Sequence, residues 1–172
     1  MILPFSTELN GMPTYFLPKI WRSIKQKYDV KDYILKSPGY VFAPNGIQQT
    51  LKPKKHTIRQ DKNDRWKPGV MIDFFINSRT KDMFRFAPRI PVVSTQDIEI
   101  VWSGGEINTV GVWIDNKCYV ANYEKDYNQS KQRQERMEVL AFNDGFDSVE
   151  DFLNYFNQDF TGKLIHWTDF KY

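Results

Sequence analysis

Apolar and polar positions alternate in two different rhythms along this chain, helical at its two ends and β-like between them. Phe16, Leu17, Ile20, Trp21 and Ile24 follow helical spacing. They predict a helix near 14–26 that buries a Phe16/Ile20/Ile24 stripe and leaves Lys19, Lys25 and Lys27 solvated. Pro13 would sit in its first turn, and Pro18 inside the pattern predicts a delayed start or a kink. Residues 1–5 read as a first strand with Asn10-Gly11 as a turn. From 28 to 51 no period is clear, and Pro38-Gly39 and Pro44-Asn45-Gly46 interrupt the run. This excursion is expected to pack on the surface or to line a cleft through Tyr33, Tyr40 or Phe42.

After Gly69 the chain turns β-like. Val70–Ile76, Met83–Ala87 and Pro91–Trp102 are rich in β-branched and aromatic residues, and Ser103-Gly104-Gly105 breaks the run. Val110–Ile114 and Lys117–Val120 flank Asp115-Asn116 and read as a hairpin. Residues 124–134 are polar, a loop or an exposed helix start. Met137, Leu140 and Ala141 mark one face of a short helix near 132–142. Ser148, with Asp151 three residues on, is an acidic variant of a capping box for a helix near 148–157, which buries Val149, Phe152, Leu153 and Phe156. Leu164–Trp167 closes the fold as a strand. The expected class is α+β: a mixed β-barrel built from 57–120 and 163–168, with flanking helices, in a single domain over 1–172.

Composition narrows this picture only in places. The chain has 172 residues, 16% of them aromatic, enough to build a core despite a mean hydropathy of −0.58. No apolar run is long enough to span a bilayer, and the first residues lack a basic, secretory-type leader. Cys118 is the single cysteine, so no internal disulfide forms. It is expected as a small buried hydrophobe in a cytoplasmic protein. Net charge is only +3, but residues 52–67 hold seven Lys/Arg against two acids, and 135–159 hold seven acids against Arg136. Either the two segments are solvated surfaces or they form a bipolar cleft.

The densest chemistry lies in Lys52-Pro-Lys-Lys-His-Thr-Ile-Arg-Gln-Asp61. If a strand starts at Thr57, then Thr57 and Arg59 share a face with Ile58 behind them, and Lys54 leans over from the preceding turn. A cation, a hydroxyl and a guanidinium on one accessible patch suit an anionic or amide-bearing ligand. Trp66 would either cover the cleft mouth and stack on a base or pack in the core. His56 should face away from Thr57, and His166 should be packed. With two histidines and one cysteine, no metal site is expected, and no cofactor-binding motif is present.

Lys-x-x-Thr-Ile-Arg at 54–59, followed by an acid and a Pro-Gly turn, resembles the ASCH family, relatives of the PUA domains. Asp144-Gly145-Phe146-Asp147-Ser148 is similar to that family's acid-Gly-Phe-x-Ser segment. Gly162-Lys163-Leu164-Ile165-His166-Trp167 is similar to its final strand. The resemblance, over roughly 54–172, implies a PUA-like barrel whose cleft accepts RNA or a nucleoside. Arg59, Lys55 and Trp66 are the candidate ligand-binding residues. Some members are amidohydrolases that deacylate an exocyclic amine of cytidine. Carried over, their residues fall on Lys54 as base, Thr57 as nucleophile and Asp144 as proton shuttle. Asp144 is one methylene shorter than the glutamate of those hydrolases, and Gly69 is followed by Val70 where an acid is expected. Asp144 also reads as part of an Asn143-Asp144-Gly145 turn capping the preceding helix. A third reading is a protein-interaction module of a phage or mobile element.

Overall fold

The computed structural model describes residues 1–24, 27–28, 50–104, 109–124 and 130–172. Most of the 28–51 excursion, with Tyr33, Tyr40 and Phe42, therefore lies outside the described residues, as does Lys25. The strands are β1 (Ile2–Pro4), β2 (Glu8–Leu9), β3 (Met12–Pro13), β4 (His56–Arg59), β5 (Met71–Ile76), β6 (Phe84–Arg85), β7 (Ile90–Pro91), β8 (Ser94–Ser103), β9 (Thr109–Ile114), β10 (Lys117–Glu124) and β11 (Phe160–His166). The helices are α1 (Phe16–Ile24), α2 (Lys131–Asn143) and α3 (Val149–Tyr155). The class is α+β.

Five strands form an antiparallel sheet in the order β10-β9-β8-β11-β4. A second sheet joins β1, β5 and β6, with β7 also on β5, and β1 runs parallel to β5. The β2–β3 hairpin is a separate two-stranded sheet. No closed barrel is found among the described residues. The five-stranded sheet is packed on one face along its length and, at its β11 end, on the other face as well, whereas Asp97 and Glu99 leave the second face of β8 exposed. Leu164 on β11 joins Ile58, Ile98, Ile100 and Val112 against Met137, Leu140 and Phe152 of α2 and α3. Its neighbour Ile165 joins Leu3, Ile20, Phe74 and Trp167 in the cluster built on α1, β1 and β5. One strand serves both layers because its side chains alternate.

Both expected two-residue turns form. Asn10 and Gly11 have φ of 51° and 77°, and Asp115 and Asn116 have 51° and 60°. Positive φ at both central positions is what a tight, right-twisted hairpin requires, and Asn, Asp and Gly tolerate it best. Helix α1 starts late, at Phe16. Pro13 lies in β3, not in a first helical turn, and Pro18 is the third helical residue, where an N–H would have no intrahelical partner anyway.

Two further expectations are corrected. Lys19 is 1% exposed, not solvated. Its ammonium donates to Gly145 O and to Asp147 Oδ1, both at 2.8 Å, which compensates its burial. Cys118 is exposed, not buried. The ladder slips between Cys118 and Val120, so the alternation that would have put both inside is broken, and only Val120 is buried.

Candidate functional site

The site begins at the end of α2. Asp144 caps this helix, Gly145 N donates to Phe142 O, and Phe146 N donates to Ala141 O, the double bond of a Schellman cap. Gly145 sits at φ +91°, and a Cβ there would lie 2.8 Å from Lys54 Cδ and 3.0 Å from the Phe16 ring. Glycine is therefore required by both the turn and the side chains packed on it. The 54–55 segment is stitched to the same place: Lys54 N donates to Lys19 O (3.0 Å) and Lys55 N to Asn143 O (2.9 Å).

This backbone framework buries an ion pair. Lys54 is 1% exposed and Asp144 4%. The Lys54 ammonium donates to Asp144 Oδ1 at 2.9 Å and to the Asp144 carbonyl, and it lies 4.8 Å from the Phe16 ring centroid. Asp144 Oδ1 also accepts from Ile58 N at 3.0 Å. Burial lowers the Lys54 pKa from 10.5 to about 8, against the opposing attraction of Asp144. Burial pushes the Asp144 carboxyl up, but the Lys54 charge and the adjacent His56 outweigh it and hold the group below the usual carboxylate value.

His56 lies on the opposite side of β4 from Thr57 and is fully buried. Its Nδ1 stands 3.6 Å from Asp144 Oδ1, and its Nε2 is 2.7 Å from the Tyr172 hydroxyl. Burial lowers its pKa, so the ring is neutral. A tautomer with Nδ1–H toward Asp144 leaves Nε2 to accept from Tyr172, whose phenol burial raises well above its ordinary value. His166 packs at 5.2 Å from the His56 ring, its pKa lowered to about 3 mainly by burial.

Of the residues singled out by sequence, the fold brings four together. Lys54, Thr57, Arg59 and Asp144 line one recess with Ser6 and Leu9. The patch is not the open one expected, because Lys54 and Thr57 are both buried, and the recess has a free volume of about 30 Å³, room for about one or two waters. Thr57 makes no hydrogen bond to Lys54 or Asp144 among the described residues. Arg59 sits on the rim: Nη2 donates to Pro4 O at 2.9 Å, the guanidinium lies 5.6 Å from the Phe5 ring centroid, and Nε is buried without a partner. Beyond it a hollow of about 490 Å³ is lined by Arg59, Thr7, Asn77 and Ser78.

The other two candidates lie elsewhere. Lys55 points its ammonium over the Phe170 ring at 4.7 Å, away from the recess. Trp66 is 4% exposed inside the α1/β5 cluster, where its ring is core and covers no cleft mouth, and Asp61 Oδ2 accepts from its backbone N–H at 2.8 Å. Nor do the cations of 52–67 form one patch. Lys67 pairs with Asp64 (3.1 Å), Arg65 Nε is 3.9 Å from Asp61, Lys52 lies over the Phe142 ring (3.1 Å), and Lys54 is inside. Lys19, His56 and Tyr172 were not singled out for the site. A signal existed for Lys19, which falls three residues after Phe16 on the buried stripe of its helix.

No cluster of three or more His, Cys, Asp or Glu among the described residues has the arrangement to hold a metal ion. No helix among them is long and apolar enough to cross a membrane. Comparison of the chain with protein-family models, curated proteins and solved structures gives no match.

Proposed function

We propose that this is an ASCH-type, PUA-like domain that binds a nucleoside, or an unpaired base of RNA, where Lys54, Thr57, Arg59 and Asp144 meet. The observation that carries this reading is the buried Lys54–Asp144 pair at 2.9 Å, which shares a recess with the Thr57 side chain and the Arg59 rim. An ammonium, a hydroxyl and a carboxylate already oriented in an apolar wall suit the amide and amine edge of a base better than a flat apolar surface does. The unpaired Arg59 Nε and the polar hollow beyond it support sugar or phosphate being received there. Entry of a base requires Ser6 and Leu9 to move outward, because the recess holds only about 30 Å³. The test is titration of the purified chain with nucleosides and short single-stranded RNA. Arg59→Ala should weaken binding about tenfold, and added salt should weaken RNA more than nucleoside. No affinity for any of them at low salt removes this reading.

A specific observation favours a second reading, an amidohydrolase acting on an acylated cytidine. With a pKa of about 8, roughly a tenth of Lys54 carries a neutral amine at pH 7. That amine would take the Thr57 proton as the hydroxyl attacks the acyl carbon. Asp144 would relay a proton to the leaving amine, and water would then release the acyl group from Thr57. Release of free cytidine from acylated nucleosides is the assay. Thr57→Ala should abolish turnover while substrate still binds, and Lys54→Arg should be nearly as damaging, because a guanidinium keeps its proton. A folded wild-type chain with no turnover over several acyl groups discards the hydrolase.

A further inference from the structure

We propose that the groove between the β2–β3 hairpin and α3 docks a short segment of another protein, one with an aromatic or aliphatic anchor flanked by Lys or Arg. The groove has a free volume of about 590 Å³ and is walled by Phe16 and Phe146. Its lips carry Met12, 69% exposed, and Tyr155, 46% exposed. Among the described residues Met12 is the most exposed large apolar side chain and Tyr155 the third, after Ile2, so two of the three most exposed flank this groove. Methionine adapts to the shape of what it meets, and tyrosine is enriched at protein interfaces.

Charge chooses the occupant. Asp147 and Asp151 line the groove, and no Lys or Arg is among the described residues that do. Lys19 bonds Asp147 from the buried side and offsets one of these charges, and Asp151 leaves the rim negative. A cationic flank is attracted there, whereas the phosphates of a nucleic acid would meet carboxylate. Strand addition is not the mode, because β2 and β3 have only two residues each; recognition rests on a side chain seated in the groove. The inference goes beyond the nucleoside reading and uses none of Lys54, Thr57 and Arg59.

The test is panning of random dodecapeptides displayed on phage against the full chain, followed by titration of the synthetic winning peptide. Enriched peptides should combine an aromatic or aliphatic residue with Lys or Arg. Tyr155→Asp and Met12→Asp should weaken binding about tenfold, and Asp151→Lys and added salt should weaken it too. Met71→Asp, at an exposed apolar residue outside the groove, should change nothing. Thermal unfolding checks each variant, and if Tyr155→Asp fails to fold, Asp151→Lys carries the same decision. No enrichment, enrichment without basic residues, or equal damage from Met71→Asp overturns the proposal. Displacement of the peptide by cytidine or an oligoribonucleotide also overturns it and assigns the groove to the nucleoside ligand.

Discussion

Replacing Asp144 by Asn isolates the charge of the buried pair, because an amide of nearly the same shape still offers an oxygen to Ile58 N. The Lys54 ammonium, 2% exposed in its side chain, then loses its anion at 2.9 Å. Breaking one side of a buried pair costs about 3–5 kcal/mol while the other charge remains. The sign of the pH dependence follows from Lys54. Its folded pKa of about 8 lies below the ordinary 10.5, so between these values the unfolded chain binds more protons. Stability from this group therefore rises with pH from about 8 to 10.5, by roughly 3 kcal/mol in total, and the penalty is fully present below pH 8. In Asp144→Asn the Lys54 pKa falls further, and the recovery starts at lower pH. Urea unfolding at pH 7 and pH 9 should show a large loss at pH 7 and a smaller one at pH 9. The double variant Lys54→Met/Asp144→Asn should regain most of the loss, since an apolar replacement of a buried pair is often neutral. A single variant within about 1 kcal/mol of wild type, or a double variant that only adds the two losses, refutes the reasoning.

Three further outcomes follow from single positions. Gly145→Ala should lose about 2–5 kcal/mol in chemical unfolding, from a left-handed backbone plus contact with Lys54 and Phe16; a near-neutral result means the turn differs. Trp66→Ala should lose about 3–5 kcal/mol as a core truncation, and a smaller loss would return Trp66 to the surface. Cys118 should react with a thiol reagent in the folded chain at a rate that does not track unfolding, and protection until denaturation would show it to be buried.

Features that depend on a few consecutive residues were legible in the sequence. Asn10-Gly11 and Asp115-Asn116 make their turns because each residue's own φ preference suffices. Ser148 caps α3 by accepting from Asp151 N at 3.0 Å, three residues away. The alternation of β5 and β8 and the stripe of α1 followed from period alone. Lys54, Thr57 and Arg59 were grouped from sequence by strand alternation, whereas Asp144 joined them only through a resemblance.

Tertiary structure decided what those residues experience. Lys54 reads as a surface cation until Asp144, 90 residues on, meets it at 2.9 Å. Lys19 reads as solvated until Gly145 and Asp147, more than a hundred residues away, accept from it. Burial of a charge is set by whether a partner comes within hydrogen-bonding reach, and that depends on how α1, β4 and the end of α2 pack together. The same holds for Thr57, which reads as an open hydroxyl until packing leaves it 2% exposed in the wall of a small recess with Ser6, Leu9 and Phe16. Composition and period specify which elements form; only their packing sets the desolvation and pairing that give a side chain its chemistry.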